Sequence, residues 1–144
     1  ESSQLITFNY RGNSKVWKCE ISWKKLFFTV SRWTVASGKE WDVKSALSLS
    51  ILKNFEETPD FNELCNEMET SVLKKSEFRI SEKSFEMIRN QLLALDLIEI
   101  KSSTYEKASI FGQGNQTDIL RIWELSKKGK IIYLDQIAIK NKDK

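Results

Sequence analysis

The chain has 144 residues, of which 40% are hydrophobic and 30% charged, and this size and composition are typical of one globular domain with a single core. Its formal net charge is +3 and it contains no histidine, which excludes Ser-His-Asp and Cys-His catalysis and histidine-based zinc or iron sites. No apolar stretch approaches the roughly 20 residues of a membrane-spanning helix, so we expect no membrane partner.

The cysteines and the N-terminus further restrict the class of protein that this chain can be. Two cysteines cannot form a structural zinc site alone, and we expect Cys19 and Cys65 to be free buried thiols rather than a disulfide. The first residues have neither the basic start nor the apolar run of a signal peptide, so we expect a cytoplasmic protein. The missing initiator Met suggests a processed chain or a fragment of a longer one. We therefore expect no catalytic activity, no metal and no cofactor.

Residues 1–22 are predicted to form a β-hairpin. Residues 4–10 and 15–22 are its two strands, and residues 11–14, Arg-Gly-Asn-Ser, have the composition of the connecting turn. Alternation at period two predicts the inward face of the second strand. That face contains Trp17, Cys19 and Ile21.

Residues 23–77 are predicted to be helical. Ser22 is expected to cap a first helix that ends near Arg32, and Asp42 is expected to cap a second one. The Thr-Pro-Asp sequence at 58–60 ends the second helix and starts a third, which we interpret as an extra helical insertion. Apolar residues at i, i+3, i+4 and i+7 predict the core-facing stripe of each helix. The third stripe contains Phe61, Leu64, Cys65, Met68 and Val72.

Residues 78–139 are predicted to contain a strand at 78–80, a helix capped by Ser81, strands at 97–100 and 120–125, and a final helix capped by Ser126. The polar segment 101–118 is predicted to be a long, exposed and mobile connection between the last two strands. The first helix of this part is expected to bury Phe85, Ile88, Leu92 and Leu95. The final helix is expected to bury Ile131, Leu134, Ala138 and either Gln136 or Ile137.

Two runs of sequence resemble winged-helix domains. Residues 91–99, Gln-Leu-Leu-Ala-Leu-Asp-Leu-Ile-Glu, are similar to the end of the recognition helix and the start of the wing in that family. Residues 123–130, Trp-Glu-Leu-Ser-Lys-Lys-Gly-Lys, are similar to the second wing strand and the closing helix. In this arrangement Gly129 relieves crowding where the first turn of the closing helix approaches the sheet.

A closer resemblance covers residues 21–27, Ile-Ser-Trp-Lys-Lys-Leu-Phe, and residues 78–92, Phe-Arg-Ile-Ser-Glu-Lys-Ser-Phe-Glu-Met-Ile-Arg-Asn-Gln-Leu. These runs resemble the C-terminal domain of bacterial proteins that begin with a TIR-like domain of unknown function. Asp96 stands where that family usually has a glycine. The resemblance implies a regulatory or recognition module attached to a separate effector, and it names no ligand.

The fold class that we predict is α+β, winged-helix-like, with an N-terminal β-hairpin and an extra helical insertion. It is a single domain over residues 1–144. Its parts are the N-terminal hairpin at 1–22, the helical part at 23–77, the winged-helix-like part at 78–139 and a tail at 140–144.

Charge placement separates the two functions that such a fold suggests. A winged helix that reads DNA places its recognition helix in the major groove, and phosphate attraction requires clustered Lys and Arg. Residues 81–125 contain five cations against seven carboxylates, whereas residues 1–55 and 126–144 carry an excess of positive charge. We therefore expect a protein partner or another domain of the same chain, and a DNA-binding transcriptional regulator remains the alternative. On the recognition helix the candidate contact residues are Glu82, Lys83, Glu86 and Arg89.

Four further residues are candidates for partner contacts. Trp33 and Trp41 flank a Ser-Gly loop outside the regular stripes, where they either anchor a partner or cover an edge of the core. Gly112 and Gly114 lack the third glycine and the following helix of a phosphate-binding loop, so we place them at a mobile wing tip. The oligomeric state is left open.

Overall fold

The computed structural model describes residues 2–10, 15–70, 72–108 and 115–142. In these ranges the chain is mixed α+β, as predicted, with five α-helices and two small antiparallel sheets of three strands each. No helix in the same ranges has the length and apolar character that a bilayer crossing requires. The strands are β1 (Ser3–Tyr10), β2 (Trp17–Ser22), β3 (Gly38–Lys39), β4 (Phe78–Ile80), β5 (Ile98–Ala108) and β6 (Asn115–Leu125). The helices are α1 (Trp23–Thr34), α2 (Glu40–Phe55), α3 (Pro59–Glu67), α4 (Glu82–Ala94) and α5 (Lys127–Lys142).

The first sheet has the strand order β2-β1-β4, with β1 antiparallel to both neighbours. Strands β1 and β2 are paired as predicted, and the predicted turn at 11–14 lies outside the described residues. The pairing of β4 with β1 was not predicted. The buried face packs on α2, where the ring centroid of Phe8 lies 4.8 Å from that of Phe55. Within the sheet, the same ring lies 4.3 Å from that of Phe78 on β4. The predicted inward face of β2 is confirmed. It buries Trp17, Cys19 and Ile21.

Helices α1 and α2 differ in how well their starts were predicted. Ser22 Oγ accepts a hydrogen bond of 3.2 Å from the backbone N–H of Lys25, so the predicted cap of α1 is confirmed, and the helix ends at Thr34. The predicted cap of α2 is wrong, because the helix begins at Glu40 and Asp42 lies within its first turn. Strand β3 runs directly into α2, and its pairing with β6 sets where the helix begins.

Helix α3 contacts the core through one face, on which Leu64 and Cys65 are buried. Val72 was predicted on this face, but it is 74% exposed because the helix ends at Glu67 and the chain then leaves the helical path. Cys19 and Cys65 are free and buried, as predicted. Burial raises the pKa of both thiols, which lowers their reactivity.

The second sheet has the strand order β3-β6-β5. Strands β5 and β6 are paired from Ile98 opposite Leu125 to Ala108 opposite Asn115. The predicted connection over 101–118 is therefore wrong for the described residues, because backbone pairing continues far into it. The exposed residues 101–104 are polar on both faces of the ribbon, so no apolar alternation indicates a strand there.

Helix α4 agrees with its prediction except at its last turn. Ser81 Oγ accepts a hydrogen bond of 3.1 Å from the N–H of Ser84, which confirms the predicted cap. Three of the four predicted core residues are buried, namely Phe85, Ile88 and Leu92. Leu95 is 44% exposed, because the helix ends at Ala94 and Asp96 turns the backbone with a φ of 57°.

Helix α5 begins at its predicted cap. Ser126 Oγ accepts a hydrogen bond of 2.9 Å from the N–H of Gly129 and donates one of 2.6 Å to the carbonyl of Asp96. A Cβ atom on Gly129 would lie 2.1 Å from the carbonyl oxygen of Leu97. This confirms that the helix start crowds the residue before β5 and requires a glycine.

The packing face of α5 was predicted correctly only in part. The helix rests on α1, where the ring centroids of Tyr133 and Phe28 lie 5.7 Å apart, and Ile132 also packs against the core. Gln136 and Ile137 are half-buried, in agreement with the prediction. The exposed side of the helix contains Ile131, Leu134 and Ala138, so these three predictions are wrong.

Candidate functional site

Four of the predicted contact residues come together in one surface cleft, which we call the α4 cleft. It has a volume of about 620 Å³ and lies between the start of α2, the exposed side of α4 and β6. Trp41, Glu82, Glu86 and Arg89 are the predicted residues that line it. The other lining residues are Lys39, Glu40, Lys44, Phe85, Ile119, Leu120 and Arg121.

Glu40 lies at the centre of this cleft and was missed by the sequence analysis. Its carboxylate accepts hydrogen bonds of 3.5 Å from Arg89 Nη1, 3.4 Å from Arg121 Nη1 and 3.2 Å from Trp123 Nε1. Trp123 is fully buried, and its ring centroid lies 5.6 Å from that of Phe85. Two arginines of the cleft therefore already contact a carboxylate that the core holds in place.

Lys44 is the third cation of the cleft that contacts a carboxylate. It forms an ion pair with Glu82, and its Nζ lies 5.4 Å from the ring centroid of Phe85. Burial lowers the pKa of Lys44, nearby Glu40 opposes that effect, and the charge of Arg79 adds to it. The lysine is thus partly desolvated.

The other predicted residues lie apart from these contacts. Trp41 is 67% exposed, with the guanidinium carbon of Arg79 5.7 Å from its ring centroid. Lys83 is exposed on α4 but does not line the cleft. Gly112 and Gly114, the predicted wing tip, lie outside the described residues. The sequence analysis thus identified the exposed face of α4 but not the carboxylate beneath it.

Trp33 lines a second depression, which we call the α1–α5 groove. It has a volume of about 820 Å³ and lies between α1, α2 and the C-terminal half of α5. Trp33 is 51% exposed at this site, so the two predicted tryptophans belong to different surfaces. Five cations and one carboxylate line the groove, and these are Lys24, Lys25, Arg32, Lys53, Lys140 and Glu57.

The floor of the α1–α5 groove is apolar. Phe28 is half-buried there, with the Nζ of Lys140 4.1 Å from its ring centroid. Leu49 is 45% exposed and Ile139 is 53% exposed. Gln136 contributes a buried side-chain oxygen that has no hydrogen-bond partner among the described residues. Aliphatic surface of Leu49 and Ile139 and the half-exposed ring of Trp33 are therefore open to a ligand at one place.

The cations of the groove lack the carboxylate partners that the α4 cleft provides. Among the described residues no ion pair joins any of the five to an acid, and Lys25 instead donates a hydrogen bond of 3.2 Å to Asn54 Oδ1. Sequence analysis missed this surface, although the positive excess in residues 1–55 and 126–144 was its signal. Placing those charges together requires the contact between α1 and α5.

Apart from these two surfaces, a pair of acids on α3, Glu63 and Glu67, binds a cation of the protein itself. Lys15 Nζ lies 2.7 Å from a carboxylate oxygen of Glu67 and 3.4 Å from one of Glu63, and 4.2 Å from the ring centroid of Trp17. The hydrogen bond to Glu67 raises the pKa of Lys15. Lys15 and the two acids therefore form a surface ion-pair cluster that joins α3 to the residues just before β2.

Comparison with protein-family models, with curated proteins and with solved structures found no match to this chain.

Proposed function

We propose that this chain is a non-catalytic, winged-helix-like module that binds a protein or another domain of its own chain. Three features of the second half support the winged-helix interpretation. Helix α4 leads directly into β5, β5 and β6 form a long antiparallel ribbon, and α5 follows β6 through the Ser126 cap. Strand β3 completes a three-stranded sheet with that ribbon, and α3 is the helical insertion that follows α2.

The pairing of Arg89 and Arg121 with Glu40 is the observation that carries the proposal. A winged helix that reads DNA needs these cations for phosphate contacts, but both already contact one carboxylate that is 20% exposed. The exposed side of α4 adds Glu82 and Glu86 near the same place. A duplex at this face would meet acids and would have to compete for the arginines.

The α4 cleft has the features of a protein-binding surface. Trp41 exposes two thirds of its surface at the edge of the cleft, and aromatic residues of this kind are enriched among interface hot spots. Charges of both signs beside it suit the polar rim of a protein interface. The resemblance to the C-terminal domain of bacterial TIR-like proteins supports a regulatory role within a longer cytoplasmic effector or signalling protein.

A DNA-binding regulator is the second candidate, and the ribbon that follows α4 favours it. A DNA titration distinguishes it from the protein-binding function. We expect the domain to bind random and genomic duplexes no tighter than about 10⁻⁵ M at physiological salt. Fluorescence anisotropy at two salt concentrations measures this. Nanomolar binding with a steep salt slope, weakened by Arg89→Ala, would establish the DNA-binding function instead.

The protein-binding function is tested by quantitative affinity capture with matched variants. Trp41→Ala should lose at least one protein that the unaltered chain retains. Val72→Ala is the control, because Val72 is an exposed apolar residue, 74% accessible, that lines neither surface. If both variants retain the same proteins as the unaltered chain, Trp41 is not an anchor and the α4 cleft is not the binding site.

A further inference from the structure

The α1–α5 groove combines an apolar floor with cations that form no ion pair with any described acid, and we propose that it binds an amphipathic helix of a partner protein with acidic residues along its edges. The inference rests on the proposed protein-binding function and names the chemistry of one partner. It concerns a surface separate from the α4 cleft. The two can therefore be tested independently.

Charge complementarity identifies the acidic character of the ligand. The rim carries Lys24, Lys25 and Arg32 on α1, Lys53 on α2 and Lys140 on α5, with Glu57 as the single acid in the lining. Because no described carboxylate pairs with them, these cations can meet carboxylates of a ligand without first losing internal ion pairs. A basic or neutral ligand would gain nothing from them.

The position of two of these cations is unfavourable for folding. Lys24 and Lys25 lie in the first turn of α1, which contains no acidic residue. The positive end of the helix dipole repels cations there. A sequence that keeps lysines where they destabilise the helix is expected where binding requires them.

The floor distinguishes a peptide helix from other acidic ligands. Leu49 and Ile139 offer aliphatic surface, which suits the apolar stripe of an amphipathic helix laid in a groove. Single-stranded nucleic acid requires open aromatic faces for base stacking, but Phe28 is occupied by Tyr133 and Lys140, so Trp33 alone is free for a base. A flat anionic membrane could touch the rim but not the floor between three helices.

The probe is a fluorescein-labelled peptide of about 14 residues, about 21 Å long as a helix, with Leu at i, i+3, i+4 and i+7, Glu at the positions that flank this stripe and Ala on the outer face. A scrambled peptide of the same composition is the peptide control. We expect micromolar binding of the patterned peptide and weaker binding at higher salt. The scrambled peptide should bind at least about fivefold more weakly, because it cannot place its Leu side chains on one face.

Two charge-reversal variants provide a matched comparison. Lys24→Glu, Arg32→Glu and Lys53→Glu together should weaken binding of the patterned peptide by at least about tenfold. Lys18→Glu, Lys75→Glu and Lys130→Glu together change the net charge equally, but none of the three lines the groove, so affinity should stay within about twofold. Circular dichroism checks that both variants fold.

Ile139→Ala provides a test that does not depend on charge. Ile139 is 53% exposed near the end of α5, so its truncation should leave the fold intact and weaken peptide binding several-fold. Equal affinity of the two charge variants would overturn the inference. So would tighter binding of a single-stranded oligonucleotide, or of phosphatidylserine vesicles, that the groove variant abolishes. Either result leaves the test of Trp41 unaffected, so failure of the groove and failure of the proposed function are distinguishable.

Discussion

The α4 cleft and the α1–α5 groove have similar numbers of cations but differ in how many carboxylates lie beside those cations. The cleft is lined by four cations and three carboxylates, and three of those cations contact an acid. The groove is lined by five cations and one carboxylate, without an ion pair among the described residues. Local positive charge is thus neutralised in the first surface and available in the second.

The two surfaces also differ in their connection to the core. The cleft is tied to the core by the hydrogen bond between Glu40 and Trp123, whose side chain is fully buried. The groove rests on Phe28, which is half-buried at the contact between α1 and α5. A change beneath the cleft should therefore affect folding, whereas a change in the groove should affect binding.

The largest expected effect is on stability, and it compares a tryptophan beneath the cleft with one in the groove. Trp123→Ala removes a fully buried side chain, which stacks with Phe85 and donates to Glu40, and should destabilise the protein by about 3–5 kcal/mol. Trp33→Ala, at 51% exposure, removes about half as much buried surface and leaves no internal cavity, so it should cost only about 1–2 kcal/mol. Urea denaturation measures both. Similar losses in the two variants would contradict the difference in depth between cleft and groove.

A smaller effect is expected from the acids of the two surfaces. Glu40→Gln removes the charge that Arg89 and Arg121 share and should cost about 1–2 kcal/mol. It should also raise nonspecific duplex affinity several-fold at low salt, because two arginines become available to phosphate. Glu57→Gln is the matched control, since that exposed acid of the groove has no ion pair among the described residues. Unchanged stability and unchanged duplex affinity in Glu40→Gln would show that the pairing does not neutralise the cleft.

Local features of the fold were predictable from the sequence. The serines at 22, 81 and 126 each cap a helix, because a short hydroxyl side chain can reach an N–H two or three residues ahead whatever the tertiary structure is. The requirement for glycine at 129 is not local, because the crowding atom is the carbonyl oxygen of Leu97, and it was indicated by the resemblance to winged-helix domains. The extension of β5 and β6 was not predictable, because their polar residues on both faces remove the period of two on which strand prediction depends.

The candidate sites were likewise predictable where their residues are close in the sequence and not where they are far apart. Residues of α4 were found because one helix face presents them together, as Glu82, Glu86 and Arg89 show. Glu40 was missed because its partners are 49 and 81 residues away in the chain. The cations of the groove are likewise distributed between α1, α2 and α5, and a charge count by segment cannot bring them together.

The smallest expected effect compares equivalent positions at the starts of α1 and α4. Lys24 and Lys83 are each the second residue of a helix capped by serine, but Lys24 adjoins Lys25 in a turn without acids, whereas Lys83 follows Glu82. Lys24→Glu should therefore stabilise the protein by about 0.5–1 kcal/mol at low salt, since it reverses an unfavourable interaction with the helix dipole. Lys83→Glu should give a smaller gain or none, because it adds a carboxylate beside Glu82 and near Glu86.

Urea denaturation at low salt and at about 1 M salt measures this difference, which screening should abolish at the higher concentration. The same Lys24→Glu variant should bind the acidic peptide more weakly, so that stability and binding change in opposite directions. A loss of stability in Lys24→Glu would instead mean that the lysine makes a favourable contact in the folded protein. The groove cations would then contribute to folding, and the contrast with the paired cations of the α4 cleft would not hold.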